Sequence, residues 1–170
     1  MPENQMRNIF PERLVINIGT GSDERVQENA KRLLELITKR KPTDALSKTR
    51  NPSFKIAKGQ KIGAFVTVRG KEIPPLAKRL FDAVDNKVRS GAIINNSLSF
   101  GIKEYIDISG IKYDPKVGML GMNINMTFRR KGMRVALRKR KRGEIAVGHR
   151  TVPPEEIKDY IRRQFNVEVM

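Results

Sequence analysis

The chain has 170 residues, of which 38% are apolar, which suits one compact domain spanning 1–170 with its own core. It contains no cysteine, so disulfides and thiolate metal sites are excluded, and neither a secretory leader nor a bilayer-spanning run is evident, so an intracellular protein away from membranes is expected. The formal net charge of +17 and pI of about 10.5 call for an anionic partner, with nucleic acid first; an anionic membrane surface would want a basic amphipathic helix, and the densest basic stretches lack helical spacing.

RLVINI, 13 to 18, alternates: Leu14, Ile16 and Ile18 share one side, Arg13, Val15 and Asn17 the other, which is strand spacing. GTGS then turns, Ser22 caps, and Val26, Ala30, Leu33, Leu34 and Ile37 form the apolar stripe of a helix over 23–39. From 41 to 60 the periodicity is lost, and a long basic loop is expected around a short FKI. IGAFVTVRG, 62 to 70, is a strand with Ile62, Ala64, Val66 and Val68 on one face and Phe65, Thr67 and Arg69 on the other. Pro74 and Pro75 open a second helix over 75–89. SLSFGI and YIDI read as short strands. MLGMNINMTFR alternates again, Met122, Ile124, Met126 and Phe128 against Asn123, Asn125, Thr127 and Arg129. RKG turns, and RVALRKR reads as a further strand with Val135 and Leu137 opposite its arginines. TVPPEE opens a last helix carrying Ile157, Tyr160, Ile161 and Phe165.

Each strand thus has one apolar face and one of Asn, Thr or Arg, and each helix has one apolar stripe. The expected fold is α+β and two-layered: a mostly antiparallel sheet with helices on one face and the other face open. The charge is localised. Residues 129–150 carry a net +9 and residues 39–61 a net +7, leaving +1 for the other 125 residues. Two dedicated contact surfaces are therefore expected, a basic hairpin over about 129–150 and a basic loop over about 43–60. Amides and hydroxyls on the open side can bond sugars and base edges, and arginine binds phosphate. In the loop, Lys48, Arg50, Lys55 and Lys58 are spaced by turn formers, and Phe54 is expected to anchor it to the core rather than stack on a base.

Catalytic signals are weak. GTG lacks the third glycine of a dinucleotide turn and is followed by Asp23 and Glu24, which would repel a pyrophosphate. His149 is the only histidine, and neither an acid–base carboxylate pair nor a serine nucleophile motif stands out. No enzyme and no cofactor or metal is expected. A structural RNA-binding protein leads, ahead of a general nucleic-acid binder or RNA chaperone.

The stretches LVINIGTG, LSKTRNPSFKIAKGQKIGAFVTVRG, FGIKEYIDISGIKYDP and GMNINMTFRRKGMRVALRKRKRG, in this order and over nearly the whole chain, resemble large ribosomal subunit protein five of the archaeal and eukaryotic type. The resemblance implies a curved β-sheet with an open, RNA-facing side, in a cytoplasmic, ribosomal protein that binds 5S ribosomal RNA in the central protuberance. It implies contacts to that RNA from Asn17, Thr67 and Arg69, which alternation independently places on the polar side. A further family contact is the Gln of an ITGQKP motif. Here the run is ITKRKP, so Arg40 stands at that position and Lys39 replaces the glycine. The resemblance also implies that Lys48, Arg50, Lys55 and Lys58 face transfer RNA in the peptidyl site, and that small-subunit protein thirteen is met at an intersubunit bridge. Large-subunit RNA is expected to meet Arg129, Arg130, Arg134, Arg138, Lys139, Arg140, Lys141 and Arg142. Other 5S-associated ribosomal proteins are expected neighbours.

Overall fold

A computed structural model describes residues 4–170. Six strands form one antiparallel sheet: β1 Ile9–Gly19, β2 Thr43–Leu46, β3 Lys61–Arg69, β5 Ile93–Ile94, β6 Ser97–Ile102 and β7 Met122–Arg130, in the order β2-β3-β1-β7-β6-β5. Strands β4 (Lys87–Val88) and β8 (Glu168–Val169) pair separately and in parallel. Three long helices, α1 (Glu24–Thr38), α2 (Ile73–Asp82) and α5 (Pro154–Phe165), bury their apolar stripes against one face of the sheet. Two single-turn helices, α3 (Arg134–Leu137) and α4 (Val147–Arg150), lie between β7 and α5. The α+β, two-layer expectation holds.

Alternation builds the layers. Leu14, Ile16 and Ile18 from β1, Ala64, Val66 and Val68 from β3, and Met122, Ile124, Met126 and Phe128 from β7 are buried in one core with Leu33, Leu34, Leu80 and Ile161. Phe81 stacks on Phe100 at 5.0 Å and meets Phe165 at 5.2 Å, joining α2, β6 and α5. The register of β1 against β7 shifts between Pro11 and Arg13, leaving Glu12 as an extra residue. Such a bulge bends a strand and increases its twist.

The helix ends follow local chemistry. Asp23, not Ser22, caps α1, its Oδ1 accepting from the Arg25 N–H at 3.0 Å. The second helix ends at Asp82 instead of 89, because Asp85 and Asn86 adopt positive φ and turn the chain into β4. At the other end of α1, Lys39 is left-handed at φ 53°. Glycine is the ordinary residue there, since a Cβ crowds the carbonyl in that conformation. Lys39→Gly should therefore stabilise the chain by about 0.5–1 kcal/mol, read as a rise in Tm of about 1–4 °C. An unchanged or lower Tm would show the strain relieved some other way.

YIDI is not a strand. Tyr105 and Ile108, three residues apart, are buried, and Tyr105–Asp107 is a 3-10 turn. The Tyr105 hydroxyl accepts from the Asp114 N–H at 3.0 Å, so this ring pins the loop before β7. RVALRKR is not a strand either. Strand β7 is already bonded on both sides, to β1 and β6, so the chain that follows cannot fold back on it as a hairpin partner. It turns at Gly132, φ 86°, and forms α3, closed by Arg138 N–H to Arg134 O at 2.9 Å. Val135 and Leu137 are exposed, so their spacing does not reflect burial. The expected basic hairpin over 129–150 is thus a compact basic loop.

Candidate RNA interface

The uncovered face of the sheet is a grid of polar side chains. Across neighbouring strands, Arg69, Arg13, Thr127 and Ser97 form one row, Thr67, Val15, Asn125 and Ser99 the next, and Phe65, Asn17, Asn123 and Gly101 a third. Asn17, Thr67 and Arg69, the three positions singled out on β1 and β3, therefore lie within three rows of one surface. Arg13, Asn123, Asn125, Ser97 and Ser99 complete it. Their signal is present in the alternation, since each is in phase with a residue already selected. The only carboxylate on this face among the described strand residues is Glu12, brought there by the bulge and ion-paired with Arg129 at 2.6 Å. Arg129 joins the grid beside exposed Phe10.

Arg130 does not. One residue out of phase with Arg129, it points to the helix side and is only 9% exposed. Its Nη2 donates to both Glu156 oxygens, at 2.9 and 2.8 Å, tying β7 to α5, while its Nε is buried without a partner. Arg130 is thereby corrected from an RNA contact to a structural one. Glu156→Ala would strand this guanidinium, and because Glu156 is itself half exposed the cost should be about 2–3 kcal/mol. Arg130→Met together with Glu156→Leu should recover most of that loss, as apolar packing replaces a buried pair at little net cost. Thermal melting of the two variants checks this. Equal losses in both would assign the effect to packing rather than to the unpaired charge.

Arg40 sits at the rim. Its guanidinium Nε donates to one Glu72 oxygen at 2.9 Å, and its Nη2 is ion-paired with the same oxygen at 2.8 Å, three residues beyond Arg69. This side-on pairing fixes the plane of the guanidinium and leaves its Nη1 edge available. Behind β2, Asp44 lies on the covered side with Lys31 and Gln27 of α1. The hydrogen bond from Lys31 is the main influence holding its carboxyl below the usual aspartate range, against the opposing effect of burial.

The basic segments leave from opposite ends of the grid. Residues 131–150 follow the end of β7 where Arg13, Arg69 and Arg129 lie; the loop between β2 and β3 leaves where Gly19 faces Gly63. That loop is ordered as an extension of the hairpin. Ser47 and Gln60 are joined through a backbone hydrogen bond of 2.8 Å, and Asn51 and Ile56 exchange bonds of 2.9 and 3.0 Å. Lys55, φ 54°, closes the turn at its tip. Lys48, Arg50, Lys55 and Lys58 are all exposed along it. Phe54 is 71% exposed, which corrects its expected role as a core anchor. The hairpin extends past the last row of the sheet, and Phe54 stands exposed near its tip.

At the other end, Arg134 and Arg138 through Arg142 are exposed on the compact loop, shaped by a 2.6 Å bond from Arg138 Nε to the Lys141 carbonyl. His149 lies half-buried behind them, its Nε2 3.0 Å from the Lys131 carbonyl, so that nitrogen carries the proton. Among the described residues no cluster of His, Asp or Glu could hold a metal ion, and no helix is long and apolar enough to cross a membrane.

Comparison with known proteins places the chain in a family. The model for the C-terminus of the ribosomal L5 family matches residues 61–153. The large ribosomal subunit protein uL5 of Cenarchaeum symbiosum is 39% identical over 166 residues, covering 97% of this chain and 98% of that protein. Those of Nitrosopumilus maritimus and Sulfurisphaera tokodaii are 38% and 37% identical, each covering 98% of this chain and 96% and 95% of their own length. With the family match spanning most of the strand grid and the relatives aligned nearly end to end, the chain belongs to the ribosomal L5 family.

Proposed function

We propose that this protein is a structural constituent of the large ribosomal subunit that binds 5S ribosomal RNA across the open face of its sheet. The family is a ribosomal, RNA-binding one that works in translation in the cytoplasm, and it is not a family of enzymes. The observation that carries the finer reading is the pairing of a polar grid almost free of carboxylates with exposed cations at both of its ends. Asn17, Thr67, Asn125 and their neighbours offer amide and hydroxyl groups to sugars and base edges, and the arginines offer guanidinium to phosphate. The covered face supplies rigidity, so the grid is presented without much ordering cost on binding.

The flanking segments fit separate partners. The loop at the end of β7 offers Arg134 and Arg138 to Arg142 as a sequence-independent grip on large-subunit RNA. The hairpin carrying Lys48, Arg50, Lys55 and Lys58 projects away from the sheet, with exposed Phe54 at its tip able to stack on a base, and this suits transfer RNA in the peptidyl site. Small-subunit protein thirteen and other 5S-associated proteins complete the proposed surroundings.

Binding of the purified chain to 5S RNA at near-physiological salt, against excess transfer RNA, tests the reading. Retention of 5S RNA is expected. Complete displacement by the competitor would favour a general nucleic-acid binder or RNA chaperone.

A further inference from the structure

Three arginines meet at one end of the open face, and one of them has an acid. Arg129 is paired with Glu12. Arg13 and Arg69 lie directly opposite one another in the β1–β3 register, both exposed, and neither belongs to an ion pair among the described residues. Like charges at directly opposed positions on one sheet face repel, because their Cβ atoms are only about 5 Å apart. The side chain of Arg13 is steered by a single long bond, Nε to Thr127 Oγ1 at 3.4 Å, which leaves both Nη groups unused. The pair is unfavourable in the free chain and favourable once an anion lies between the two cations.

We propose that Arg13 and Arg69 together hold one phosphodiester group of the bound RNA, with Thr127 positioning Arg13. This deepens the RNA-binding reading of the open face and rests on it. Each guanidinium presents a planar fork of N–H donors that matches two phosphate oxygens. Guanidinium groups on neighbouring strands approach the two non-bridging oxygens from opposite sides. A phosphate held in this row places the adjoining nucleotide over the next one, where Thr67 and Asn125 flank Val15. The clamp sets the register; the hydroxyl and amide beside it meet the nucleotide.

The test uses the full chain, Arg13→Gln, Arg69→Gln and the double variant. Inorganic phosphate at millimolar concentration and constant ionic strength should raise the Tm of the unsubstituted chain more than that of either single variant, and Arg13→Gln should melt higher than the unsubstituted chain in chloride at low salt. Each single variant should lose about tenfold in affinity both for 5S RNA and for an unrelated RNA duplex, and the double variant little more than either single, because all three give up the same phosphate. Full affinity of Arg13→Gln for both RNAs, single losses that multiply in the double, or an equal phosphate shift in every chain would overturn the clamp. The two RNAs keep the outcomes apart. A chain that does not prefer 5S RNA over the duplex contradicts the 5S reading, while coupling between the two arginines on either RNA still reports the clamp.

Discussion

Gly63→Ala should destabilise the fold by about 3 kcal/mol and lower its Tm by about 6–12 °C, because a Cβ at this position meets the Ile18 carbonyl oxygen at 2.5 Å. The obstacle is backbone in the neighbouring strand, not the end of a flexible side chain, so β1 and β3 must separate locally. Gly63 faces Gly19 at the end of their ladder. The same displacement would carry Asn17 and Thr67 apart, since they lie one and two rows along from it. Weaker RNA binding is therefore expected even at temperatures where the variant stays folded. Gly59→Ala provides the comparison: it also lies near the start of β3, but nothing lies within 4 Å of the added atom and its cost is one of backbone conformation alone, φ being 82°. Melting curves that ranked Gly59→Ala as the more damaging change would contradict the close-approach account.

Replacing Arg138, Lys139, Arg140, Lys141 and Arg142 with glutamine should leave the fold intact and cut RNA affinity on the order of a hundredfold at near-physiological salt. None of the five is buried, and among the described residues none is ion-paired to an acid. Each phosphate left unneutralised should flatten the dependence of log affinity on log salt by about 0.7–0.9, to a limit of about 4 for the run. Because the run presents charge rather than a patterned set of donors and acceptors, 5S RNA and an unrelated RNA should weaken together. A loss confined to 5S RNA would mean that this loop reads structure, and the division between grip and recognition would be wrong.

That division is legible in the sequence to the extent that burial writes it there. Strands β1, β3 and β7 lie inside the sheet with one face packed, so alternation has to be strict, and it assigns Asn17, Thr67, Arg69 and Arg129 to the same side without help from the structure. It also holds the answer for Arg130, which is out of phase with Arg129; charge density points to RNA, phase points to the helix side, and phase prevails opposite Glu156. Between 134 and 142 the same period-two pattern is accidental, because spacing alone cannot say whether a neighbouring strand has a free edge. Tyr105 and Ile108 show the converse: their three-residue spacing reports a turn, while the β-branched and aromatic composition of so short a run suggests a strand. Phe54 escapes the expectation because an aromatic side chain is usually buried, whereas a hairpin that outruns its sheet has no core to offer. The clamp of Arg13 and Arg69 depends on register, which emerges only when two strands separated by some fifty residues are laid side by side.

The most direct measurement of the central claim is the ratio of affinities for 5S RNA and transfer RNA, determined for the unsubstituted chain, for Thr67→Ala with Arg69→Ala, and for the chain neutralised at Arg138 to Arg142. Recognition by the open face requires that the unsubstituted chain prefer 5S RNA, that the sheet variant lose most of that preference, and that the neutralised chain keep it while binding both RNAs more weakly. A preference that survives in the sheet variant and disappears in the neutralised chain would contradict the account, and would transfer recognition from the grid to the basic loop.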